Sequence, residues 1–80
     1  MQYCHMLGLT FNVTARVKGK LALTTDNAHG ADMLRRRFAE RRTETIPAFL
    51  TRGPDFNGQE SRVLTPMYFD KTGFFFTESL

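Results

Sequence analysis

The sequence predicts a small α+β domain: one antiparallel sheet made of two hairpins, in the order β-β-α-β-β, with one helix packed on its apolar face. Three observations predict it. Leu7, Leu9, Phe11, Val13, Ala15 and Val17 are apolar and alternate with small or polar residues, the period of a half-buried strand. Thr24-Thr25-Asp26-Asn27 offers four side-chain acceptors just before Ala31, Leu34 and Phe38, which share a face at helical spacing. Asp70-Lys71-Thr72-Gly73 is a type I turn sequence between two aromatic runs.

Taken in order, residues Met1 to Met6 carry no pattern and read as a lead-in, with Met6 an alternative start to Met1. The strand Leu7 to Val17 should turn through a bulged three-residue loop ending at Gly19. That loop pairs Arg16 with Lys20, Ala15 with Leu21 and Val13 with Leu23, so apolar faces apolar. A two-residue loop at Lys18 and Gly19 would pair Val17 with Lys20 and mismatch the faces. The second strand is expected over Lys20 to Thr25. The helix should begin between Ala28 and Ala31 and end near Arg42, with Arg41 and Arg42 favourable at the negative end of its dipole. Ile46 is held extended by Pro47, and Ala48 to Leu50 read as core or a short strand. Thr51 to Ser61 reads as a loop with two turn signals, Gly53-Pro54 and Asn57-Gly58. The second hairpin joins Arg62–Phe69 to Phe74–Thr77, and Pro66 implies an edge or a bulge. The order of strands is not legible.

Eighty residues make one domain, residues 1–80, with a thin core. A single cysteine, Cys4, cannot form an internal disulfide, which fits a reducing compartment. No apolar run is long enough to cross a bilayer, and the N-terminus lacks the basic and apolar regions of a signal peptide. A cytoplasmic location without membrane contact is therefore expected.

The charge is local. Arg35 to Arg42 holds five arginines and one glutamate, an excess of four, whereas the whole chain carries a net +3. A concentrated field can bind a partner, while a diffuse one mainly aids solubility. Arg36 and Arg37 should point away from the Leu34/Phe38 stripe, with Arg35, Arg41 and Arg42 flanking it. Guanidinium forks suit phosphate or carboxylate, so these residues are the predicted contact with an acidic partner, nucleic acid or an acidic protein surface. The competing reading is a solvated helix face. Arg16, Lys18 and Lys20 on the first hairpin add positive charge, or simply guard an edge against aggregation. Phe74 and Phe76 should face opposite to Phe75, with Tyr68 and Phe69 split likewise. One aromatic face is then left for a homodimer or another partner, unless phenylalanine fills the core on both sides.

Catalytic material is thin. Cys4 and His5 are adjacent, but no further cysteines complete a zinc site. No phosphate loop or nucleophile elbow is present. Asp55, Glu60, Arg62 and His29 supply the residue types of a nuclease site, yet their spacing does not require one. The sequence therefore predicts a non-enzymatic binding or regulatory protein, without cofactor or metal, that contacts nucleic acid or a nucleic-acid-handling complex through an arginine-rich helix. The alternatives are a protein-binding inhibitor or adaptor of the phage or mobile-element kind, by analogy of size alone, and, last, a small ribonuclease-type toxin.

Overall fold

The computed structural model describes residues 1–70 and 73–79. Its strands are β1 (Tyr3–Met6), β2 (Leu9–Val17), β3 (Lys20–Thr24), β4 (Ile46–Thr51), β5 (Glu60–Phe69) and β6 (Phe74–Ser79). One helix, α1 (Ala28–Glu40), lies between β3 and β4. The strands close into a barrel in the order β1-β2-β3-β6-β5-β4, every neighbouring pair antiparallel. This corrects the expected open β-β-α-β-β sheet. Two three-stranded meanders, β1-β2-β3 and β4-β5-β6, meet along the β1–β4 and β3–β6 seams, and no sheet edge remains.

Three local features separate this barrel from the expected hairpins. First, Leu7 and Gly8 are not strand residues. Both have positive φ, 53° and 74°, and they form the two-residue turn between Met6 and Leu9, which pair. The supposed lead-in is therefore strand β1. Second, the β2–β3 turn is the two-residue loop that the alternation argued against: Val17 pairs with Lys20 and Arg16 with Leu21. Gly19 has φ 79°, as the second central position of a type II turn needs. The faces still match, because a bulge between Val13 and Ala15 shifts the register. Val13 opposes Leu23 as expected, but beyond Thr14 the parity reverses. Ala15 and Val17 turn outward and Arg16 turns inward. Third, β5 carries a matching bulge between Pro66 and Tyr68, where Pro66 implied an irregularity.

The inward faces fill the barrel. Phe11, Leu21, Leu23, Leu50, Leu64, Phe74 and Phe76 are all buried, with Leu9 and Val13 packed at the margin. With both meanders facing inward, no sheet face is left for a helix to cover. α1 instead seals one end of the barrel. The Asn27 side chain caps it, accepting from the Gly30 amide at 2.9 Å. Gly30, Ala31, Leu34 and Phe38 form its buried side. Phe38 meets Phe69 and Phe76 at 5.1 and 5.7 Å between ring centroids. At the β5–β6 turn Asp70 accepts from the Gly73 amide at 3.0 Å, and Lys71 and Thr72 of the same predicted turn lie outside the described residues. A Cβ on Gly73 would stand 2.7 Å from the Leu23 carbonyl oxygen, so the backbones there approach as only glycine allows.

Candidate functional site

α1 turns Arg36 and Arg37 to solvent because Leu34 and Phe38 must face the barrel; it ends at Glu40 rather than near Arg42, so Arg41 is its C-cap and Arg42 lies in the exposed turn that follows. Arg36 pairs with Asp32 one turn earlier at 3.0 Å. Arg37 makes a forked contact with Glu44, its Nε donating to Oε2 at 3.0 Å and its Nη2 to Oε1. Arg41 lies 4.0 Å from the same carboxylate. The hydrogen bonds from Arg37 hold the Glu44 carboxyl below the usual carboxylate range, and the same contact raises the Arg37 guanidinium. This pair contributes to stability at neutral pH and loses that contribution as pH falls through the lowered Glu44 pKa. Arg35 has a different role. Its guanidinium lies over the Phe74 ring at 5.0 Å and donates to the Asp70 carbonyl at 3.3 Å, tying the helix to the β5–β6 turn. Among the described residues, Arg42 has no ion-pair partner.

Arg16, Lys18 and Lys20 belong to the opposite end of the barrel. α1 touches Leu9, Phe69 and Phe74, whereas the β2–β3 turn projects from the far ends of those strands. The eight predicted basic residues therefore form two groups rather than one. At the uncapped end the bulge turns Arg16 inward, where its Nε reaches Glu78 Oε1 at 3.3 Å. Arg62 approaches the other oxygen of Glu78 at 3.5 Å and Glu60 at 3.0 Å. Glu78 shares the inward face of β6 with Phe74 and Phe76, and Arg62 shares that of β5 with Leu64. This charged plug was missed in the sequence. The alternation Phe74, Phe76, Glu78 was its only local signal.

The predicted aromatic group divides between two environments. Phe74 and Phe76 are core. Phe75 is half-buried on the outer wall, stacked on Tyr68 with centroids 4.3 Å apart and planes 16° apart. Another aromatic cover lies over β1. Phe56, isolated in its loop, sits 4.2 Å from the ring of buried His5 and 6.2 Å from Phe49. The Thr51 hydroxyl donates to the Gly53 carbonyl, so it accepts from His5 Nε2, 2.9 Å away. His5 Nδ1 lies 3.1 Å from the Thr10 hydroxyl. Both ring nitrogens are thus occupied by structural contacts.

The nuclease-type residues are not brought together. His29 lies in the first turn of α1, Asp55 binds the Asn57 amide in its own loop, and Glu60 and Arg62 join the plug at the other end. No metal-holding group of His, Cys, Asp and Glu exists among the described residues, nor a helix long and apolar enough to cross a membrane. Cys4 is buried inside the barrel. Burial first, and Glu78 second, push its thiol up to about 12. Alkylation requires thiolate, so iodoacetamide at pH 8 should leave Cys4 unmodified in the folded protein and label it in urea; mass spectrometry of the two samples checks this. No known protein family, curated protein or solved structure matches this chain.

Proposed function

We propose that the protein is a non-enzymatic binding module that contacts nucleic acid, alone or within a nucleic-acid-handling complex, through the outer face of α1. The observation that carries this reading is a shallow groove along that face, where Arg36, Arg37 and Arg41 stand together with His29. Asp32 and Glu40 line the same groove, and the pairs that Asp32 makes with Arg36 and Glu44 with Arg37 lie at the surface. Such surface pairs contribute little to stability, so phosphate oxygens can replace the carboxylates at small cost. Phosphate contacts of this kind fix position without reading sequence.

The test is a titration of the parent and an Arg36→Gln/Arg37→Gln variant against nucleic acid at two salt concentrations. Glutamine avoids placing a third acid beside Asp32 and Glu44. The variant should melt within a few degrees of the parent and bind more weakly. Its log K against log salt should be shallower by about 0.7–0.9 for each phosphate that the variant no longer neutralises. Parent-like affinity in the folded variant would exclude α1 as the contact.

A further inference from the structure

Ion pairing separates the cations of this protein into two classes. Arg16, Arg36, Arg37, Arg41 and Arg62 all face carboxylates. Among the described residues Lys18, Lys20, Arg35, Arg42 and Arg52 face none. Arg35 is taken up by the Phe74 ring and the Asp70 carbonyl, and Arg52 stands apart in the loop after β4. The other three, Lys18, Lys20 and Arg42, bracket one surface. Tyr68, 51% exposed, lines a depression with Arg42 at the C-terminal end of α1. Phe75, stacked on Tyr68, lines the next depression with Lys20, Val17 and Ala22. The β-ladder makes the strip continuous, because Ala15, Ala22, Phe75 and Tyr68 are successive cross-strand neighbours on the outer face of β2, β3, β6 and β5. The outward positions around it are Val17, Lys20, Val63, Thr65, Thr77 and Ser79, and none is acidic.

We infer that this outer wall is a track for single-stranded nucleic acid, with an unpaired base stacked on the open face of Tyr68 and phosphates on Arg42, Lys20 and Lys18. The inference rests on the nucleic-acid reading above and names the form of nucleic acid recognised. Alternating cations and open aromatic faces are what sequence-tolerant single-strand binding uses. In a duplex the base faces are already stacked and offer the ring nothing. A second copy of this chain fits poorly, since a two-fold interface would set one all-positive patch against itself.

The experiment is fluorescence anisotropy with a labelled single strand of about 12 nucleotides, within the usual footprint of such sites, and with its duplex. Tyr68→Ala should lower single-strand affinity about tenfold, the effect of losing one stacked base, with the salt slope unchanged. Lys20→Gln should lower that slope by about 0.7, the share of one phosphate. Tyr68→Phe should bind like the parent. Tyr68→Leu, which keeps apolar cover over Phe75, should lose affinity like the alanine variant, so a poorly folded alanine variant does not decide the matter. Parent-like single-strand affinity in the leucine variant overturns the track. If Arg36→Gln/Arg37→Gln still weakens binding in that case, the helix reading survives alone. An absence of binding to either nucleic acid by the parent overturns both, whereas a wall found to bury itself in a dimer that Tyr68→Leu dissolves overturns the track alone.

Discussion

Phe38→Ala should destabilise the protein by about 3–5 kcal/mol, the usual loss for a buried phenylalanine. Phe38 is 3% exposed and is the ring by which α1 plugs the barrel, edge-on to Phe69 and tilted against Phe76. Whole domains hold only about 5–15 kcal/mol, and one this small lies toward the low end. Chemical denaturation followed by circular dichroism should show a much lower midpoint or no folded baseline. A cooperative melt within a few degrees of the parent would mean that α1 does not seat Phe38 in the barrel.

Glu78→Ala should have the second largest effect. The Glu78 side chain is 7% exposed and accepts the approach of both Arg16 and Arg62. Removing it leaves two inward guanidiniums without their shared counter-charge. Breaking a fully buried pair costs about 3–5 kcal/mol. Here the arginine side chains keep 36% and 30% exposure, and water screening reduces the expectation to about 2 kcal/mol. Arg16→Ala made in the Glu78→Ala background should recover part of the loss, because it removes one of the stranded charges. Strictly additive losses in that double-mutant cycle would show that the two groups are not coupled.

Local structure was legible where a local rule governs it. The acceptor run Thr24 to Asn27 marked the start of α1, Leu34 and Phe38 fixed its buried face, and Pro66 narrowed β5 to an edge or a bulge, of which the structure has the bulge. The barrel was not legible, because closure depends on β1 meeting β4 and β3 meeting β6 across most of the chain. The alternation from Leu7 to Val17 misled for a physical reason. Ala15 and Val17 are small enough to stand on an outer wall, so nothing in their chemistry announces the reversal at Thr14. Arg16 can turn inward because Glu78 waits on a strand at the other end of the sequence. Arg36 and Arg37 were placed on the solvent side correctly, but their pairing with Asp32 and Glu44, and the freedom of Arg42, depend on geometry that spacing does not carry.

The two seams also set how the chain can fold. Each meander is local, with strands joined by short turns except for the eight-residue loop 52–59 between β4 and β5, and α1 can form on its own segment. The partners across the seams, such as Tyr3 with Thr51 and Leu21 with Phe76, must find each other through long closed loops, whose entropic cost falls before the pairing returns anything. Until both seams join, each half carries two open strand edges and an uncovered apolar face. The chain is then most prone to pair with another copy of itself. Its solubility during synthesis is therefore governed by the speed of seam closure, a kinetic property that the surface charge of the finished barrel does not report.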